Sequence, residues 1–312
     1  MDKIEFSTIT NLTEEEARQF LEELRWPNGV ICPHCGHDKA HKITPKSAKS
    51  KTRPGLYACA KCRKQFTVTV GTIFERSRVP LRKWVMAFYL MNTSKKGISA
   101  HQLHRMLGVT YKTAWFMAHR IREAMSKEPV VSLLSGTVEA DETYIGGKEY
   151  NKHMSKRTKG TQGRSTKTKV PVAILVERNG RVRAKKVDAT DGRTLKNHIR
   201  ENVHPSARIM TDEWQAYDGL ENEFAGHETV DHGRREYVSG DAYTNTAESW
   251  IALLKRGIVG TFHHVSENHL DRYINEFGFR WDNRKASDGA RTLAAIKGAE
   301  GKRLFYKEPI NP

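Results

Sequence analysis

Cysteine is scarce in this 312-residue chain: there are four, too few for a disulfide-stapled scaffold. No apolar run approaches the roughly 20 residues of a membrane span. The longest, "WVMAFYLM" from Trp84 to Met91, is the length of a buried helix. The opening "MDKIEF" has no basic stretch followed by an apolar one, so nothing points to secretion, and a cytoplasmic location is expected. Acidic charge is also in deficit, with 36 Asp and Glu against 53 Lys and Arg, net +17. An excess of that size argues against an acid-seeking or neutral partner surface and for a polyanion. The deficit is uneven: residues 1–30 carry net −4, so +21 lies beyond them. The polyanion should therefore contact the chain beyond its first helix.

What is present begins with "LTEEEARQFLEEL", where a capping box from Thr13 to Glu16 opens an amphipathic helix with Ala17, Phe20, Leu21 and Leu24 on one face. All four cysteines come next in two short pairs, Cys32-x2-Cys35 and Cys59-x2-Cys62, separated by 23 residues. Each pair lets two thiolates close on one tetrahedral ion, and four thiolates leave no open position. A structural zinc ribbon is expected, with one zinc on Cys32, Cys35, Cys59 and Cys62. His34, His37 and His41 are weaker candidates for the same ion.

The segment "ISAHQLHRMLGVTYKTAWFMAHRIREAM" divides into two helices about Gly108, with Leu103, Met106 and Leu107 lining the first and Ala114, Met117, Ala118 and Ile121 the second. Two short helices about a glycine turn fit a helix-turn-helix. Lys112, Arg120 and Arg122, together with Lys83, are candidate contacts to DNA phosphate, although basic residues on helix faces are often only solvated. Beyond Pro129 the texture turns to strands. "GTVEADETYIGG" leads into a basic low-complexity loop, then two strands joined by the Asn179-Gly180 hairpin signal, then helices alternating with strands. That order predicts a mixed α/β domain.

Three acids in this part suit nuclease chemistry. Asp141 sits in mid-strand within "VEADETY", Asp212 at the carboxyl end of "ARIMTD", where open sheets place ligands, and Glu248 on the last helix. Asn245 lies beside Glu248 and competes with it for the third position. Ala247, Trp250, Ile251 and Leu254 form that helix's apolar stripe, and Lys255 falls about 20° from Glu248 around the helix. Taken one at a time, each acid could equally be a solvated surface group.

Through "CPHC…CAKC", "VEADETYIGGK", "TDEWQAY", "TNTAESWIALLKRGIVGTFHHVS" and "EFGFRWDNR", the chain resembles bacterial insertion-sequence transposases with an N-terminal zinc ribbon and a ribonuclease-H-like DDE nuclease domain. The resemblance implies an α/β fold, a ribonuclease-H-like mixed sheet with flanking helices, preceded by the ribbon and the helix-turn-helix. It places Asp141, Asp212 and Glu248, with Asn245 as alternative, as catalytic ligands of two Mg²⁺ ions, and Lys255 on DNA phosphate. It further implies double-stranded DNA as partner, at element ends and target, a homo-oligomer on DNA, and nucleoid association when bound. The expected division is 1–79 for the first helix and ribbon, 80–128 for the helix-turn-helix, 129–285 for the catalytic domain and 286–312 for a C-terminal tail. A non-catalytic DNA-binding regulator, or a nuclease without strand transfer, are the alternatives.

Overall fold

The computed structural model describes residues 5–44, 52–126, 132–161, 163–231 and 241–309. The chain forms two compact units, one from residues 1–126 with 286–312 and the other from 127–285.

In the first unit, helix α1 (Phe6–Thr10) precedes α2 (Glu14–Arg25). The predicted capping box closes the start of α2: the Glu16 amide donates to Thr13 Oγ1 at 3.2 Å and the Thr13 amide to Glu16 Oε2 at 2.8 Å. Strands β1 (Ala40–Lys42), β2 (Tyr57–Cys59) and β3 (Gln65–Phe66) make a small antiparallel sheet in that order. Helix α3 (Leu81–Thr93) buries Trp84, Val85, Phe88 and Met91. Then come α4 (Ala100–Leu107) and α5 (Tyr111–Ala124). The turn between them has a reason in each residue. Gly108 takes φ +58° at the end of α4, a conformation costly for side chains with a Cβ. Thr110 Oγ1 then accepts the Thr113 amide at 3.2 Å, starting α5 two residues later.

The second unit is built on a five-stranded sheet. Its strands are β4 (Thr137–Ile145), β5 (Val170–Glu177), β6 (Val182–Lys186), β7 (Arg208–Asp212) and β8 (Gly226–Val230), with α6 (Gly192–Asn202) between β6 and β7. Helices α7 (Asn245–Gly257) and α8 (Leu270–Asp282) complete it. The order across the sheet is β6-β5-β4-β7-β8, antiparallel among β4, β5 and β6 and parallel from β4 through β8. Asn179 supplies the left-handed residue of the β5–β6 hairpin at φ +59°. Alternate residues of β4 and β5 feed two cores. Val138, Ala140 and Leu175 pack with Leu195 and Ile199 of α6, while Val172, Ile174 and Val176 pack with Trp250, Leu254, Ile274 and Phe277 of α7 and α8. Burial of each such large side chain is worth roughly 1.5–3 kcal/mol, so the apolar stripe of α7 fixes which way its polar neighbours face. This is the mixed sheet with helices on both faces of a ribonuclease-H-like domain.

Residues 286–312, expected as a tail, belong to the first unit. Helix α9 (Asp288–Lys297) packs on α3, and Arg25 Nε pairs with Glu300 Oε1 at 3.0 Å. Ala295 and Ile296 on α9 are buried, as is Leu304 beyond it. No helix among the described residues is long and apolar enough to cross a membrane.

Candidate functional site

The four cysteines converge. Cys32 and Cys35 lie in the loop before β1, Cys59 ends β2, and Cys62 sits in the turn to β3. Their Sγ atoms all lie within 4.8 Å of one another, with Cys32–Cys62 at 3.7 Å and Cys35–Cys59 at 3.6 Å. Zinc at about 2.3 Å from each sulfur gives tetrahedron edges of about 3.8 Å, whereas a disulfide needs about 2.05 Å. The Cys62 amide also donates to Cys59 Sγ at 3.4 Å, which supports a thiolate there. The set fits one structural zinc. None of His34, His37 and His41 joins the cluster.

In the second unit the sheet places two acids side by side. The parallel ladder pairs Glu139 with Met210, so Asp141 and Asp212 stand two residues further along adjacent strands and on one face. Asp141, Asp212, Glu248 and Lys255 all line one cavity of about 490 Å³, with Glu142, Arg164 and Lys169. Asn245, at the first position of α7, is exposed and does not line it. Burial, then the charges of Glu142, Asp212 and Glu248, push the Asp141 carboxyl up to about 7, against the Glu142 amide that it accepts at 2.7 Å. Burial and the Asp212 charge raise Glu142 to about 7 as well, while its Oε2 accepts Tyr217 Oη at 3.0 Å. Lys255 is lowered by burial, partly countered by the attraction of Asp141. The cavity therefore concentrates carboxyl groups whose joint ionisation is costly without a cation.

Sequence reasoning missed Glu139. Its side chain is wholly buried beneath the start of α7 and accepts the Thr246 amide at 2.7 Å, the Ala247 amide at 2.9 Å, Thr246 Oγ1 at 2.8 Å and Arg178 Nε at 2.8 Å. Arg178 in turn donates to the Tyr243 carbonyl at 3.0 Å. Thr244, which precedes the helix, makes no side-chain cap. A carboxylate two residues before Asp141 thus caps the helix that carries Glu248, where the helix dipole favours negative charge. The alternation E-x-D in "VEADETY" was the available signal, since it puts both acids on one face. Glu139→Gln leaves the half-buried Arg178 and the two helix amides facing a neutral side chain, and should destabilise this unit by about 2 kcal/mol. Thermal unfolding checks it; an unchanged midpoint would show that the cap is dispensable. Arg164 and Lys169 were missed because only the folded loop brings them to the cavity, and Glu142 because strand alternation assigns it to the face opposite Asp141.

The proposed DNA-contacting residues divide. Lys112 is exposed near the start of α5, and Lys83 Nζ donates to the Gly108 carbonyl at 3.2 Å. Arg120 and Arg122 do not face solvent. Arg120 is buried, donating to the carbonyls of Ile73 at 2.7 Å, Glu75 at 3.2 Å and Leu304 at 3.2 Å, and Arg122 is only 2% exposed. The expectation that these two touch phosphate is corrected: α5 is covered on more than one face, so its later turns are interior.

Comparison with known proteins agrees with this geometry. The ISXO2-like transposase domain family matches residues 133–282, and the transposase zinc-ribbon domain family matches residues 12–65. A protein of Halobacterium salinarum, described as an uncharacterized protein in transposable element ISH50, is 32% identical over 282 residues, spanning 87% of this chain and 92% of that one. Among solved structures, a chain of the simian T-cell lymphotropic virus intasome in complex with the PP2A regulatory subunit B56 gamma has 16% identity over 60% of this chain and 66% of that one. Its TM-score of 0.28 is too low to bear on fold or function. With a zinc ribbon, an acid-lined α/β unit and a relative from a mobile element along nearly its whole length, the chain belongs to the insertion-sequence transposases of the ISXO2-like type.

Proposed function

We propose that this transposase cuts DNA at the ends of its element and joins the exposed 3′-OH to target DNA, at the cavity lined by Asp141, Asp212 and Glu248. The observation that carries the reading is the meeting of carboxylates from β4, β7 and α7, far apart in sequence, at one open cavity beside Lys255. Their hard oxygen donors suit Mg²⁺. When bound, two such ions would activate water or a 3′-OH and stabilise the leaving oxygen.

The chain's own residues do the positioning. Asp141 and Asp212 offer oxygens from adjacent strands, and Glu248 offers a third from α7, which Glu139 anchors to β4. Lys255 donates to a phosphate oxygen next to the scissile bond. Asn245, outside the cavity lining, is left aside in favour of Glu248. In the first unit, α4 and α5 form the helix-turn-helix that holds duplex element ends, with Lys112 on a backbone phosphate. Two or more copies act together on DNA in the cytoplasm.

The test is a reaction of purified protein with a duplex element end, a target plasmid and Mg²⁺. A nick exposing a 3′-OH, followed by a joined product, is expected. Glu248→Gln should abolish both, while Asn245→Ala retains measurable activity. The reverse pattern would move the third position to Asn245. Nicks that never mature into joined product would identify a nuclease, and end-specific binding with neither product a regulator.

A further inference from the structure

The insertion between β4 and β5, residues 146–169, is strongly basic. It holds eight Lys and Arg against the single acid Glu149, a net +7 out of the chain's +17 within 24 residues. Such a run is commonly just a solvated loop, but three features argue for more. First, it is built. Glu149 Oε2 accepts the Thr158 amide at 2.8 Å, its Oε1 accepts Lys152 Nζ at 2.5 Å, and Arg157 donates to the carbonyls of Tyr150 and Lys152. Its two ends pinch together at Gly146, where a Cβ would come within 2.9 Å of the Thr168 carbonyl.

Second, its returning limb reaches the acid-lined cavity, where Gly163, Arg164 and Lys169 form part of the wall. Third, its far part displays apolar surface among the charges. Tyr150 is 65% and Met154 79% exposed, and Lys148 Nζ lies 5.5 Å from the Tyr150 ring centroid. Lys156, Lys159 and Lys167 are exposed and have no ion-pair partner among the described residues. An exposed ring set among free ammonium groups is the composition that binds a nucleic-acid strand: cations follow the backbone and the ring stacks on a base. Stacking of that kind needs an open base face, which the interior of a duplex, where each base is covered by the pairs above and below it, does not offer.

We infer that the 146–169 insertion is a DNA strap that grips the unpaired strand next to the cleaved phosphodiester, with Tyr150 as its base-stacking platform. The inference rests on the proposed cutting site only for where that strand comes from.

The experiment measures binding without added Mg²⁺, so it decides the question even for a protein that cuts nothing. Two labelled probes share one element-end sequence, one a blunt duplex and the other carrying a single-stranded overhang. Tyr150→Ala should weaken binding of the overhang probe by roughly 5- to 100-fold and leave the blunt duplex unchanged, whereas Tyr150→Phe, which keeps the ring, should bind both like the parent protein. Replacing Lys156, Lys159 and Lys167 together with Ser should lower the salt dependence of overhang binding, the slope of log K against log salt, by about 2. All the altered side chains are exposed, and matching unfolding curves confirm that the variants fold. Overhang binding unchanged in Tyr150→Ala, or an unchanged slope in the triple variant, would overturn the strap. Loss of cleavage with these binding differences intact would instead count against the cutting site alone.

Discussion

Asp141→Asn and Asp212→Asn should each reduce Mg²⁺-dependent DNA cleavage by about 10³-fold or more, the equivalent of roughly 4 kcal/mol of transition-state stabilisation. Each substitution keeps the shape of the side chain and removes a charged oxygen ligand. Stability should move the other way. Burial and the neighbouring acids hold the Asp141 carboxyl at about 7, above its ordinary 3.8. The folded chain therefore binds that proton more tightly than the unfolded chain, and the metal-free protein loses stability as pH rises from about 4 through 7. Asparagine removes the penalty. Because the carboxyl stays partly open to the cavity, the gain is screened to about 1 kcal/mol, or about 2–4 °C in the midpoint at pH 8. Added Mg²⁺ should then raise the midpoint of the parent protein and not that of Asp141→Asn. Full cleavage by Asp141→Asn would sink both the site and the metal assignment.

Cys59→Ser should take bound zinc from about one ion per chain to none and unfold the ribbon. The sheet it holds has strands of three, three and two residues. A sheet that short cannot hold together on apolar burial alone. Zinc supplies about 10–16 kcal/mol in comparable small modules, so its loss should release residues 32–66 rather than merely soften them. Hydrogen exchange reads this directly: amides of β1 to β3 should lose protection while those of the five-stranded sheet keep theirs. Protected ribbon amides in the zinc-free protein would mean that the cysteines are not what closes it.

Much of this arrangement is legible in the residues alone. Paired cysteines report their own chemistry, and Gly108 marks the turn between α4 and α5 because few residues accept its backbone angle. The alternation of β4 and the stripe of α7 tell which residues face the sheet, whereas gathering Asp141, Asp212 and Glu248 at one place also drew on the family resemblance; the fold lines one cavity with all three. What failed depended on partners distant in sequence. Arg120 and Arg122 looked solvated because a helical wheel assumes one buried face, and nothing in α5 announces that Leu304 will offer a carbonyl to Arg120. Glu139 resembled any strand acid until Thr246, Ala247 and Arg178 were seen around it. The approach of Arg164 and Lys169 to the cavity depends on how a loop folds back, which periodicity does not encode.

The return of residues 286–309 to the first unit has a consequence for synthesis. A ribosome completes α5 and then makes the whole second unit before α9 and Leu304 emerge, a delay of roughly 10–35 s at ordinary elongation rates. Through that interval the nascent first unit lacks the helix that covers α3 and one of the carbonyls that Arg120 needs. A product released early, by a stop codon or frameshift after residue 128, would carry ribbon and helix pair but not their closing piece. Under the proposed role of α4 and α5, prematurely terminated copies would thus make poor competitors for the element's ends.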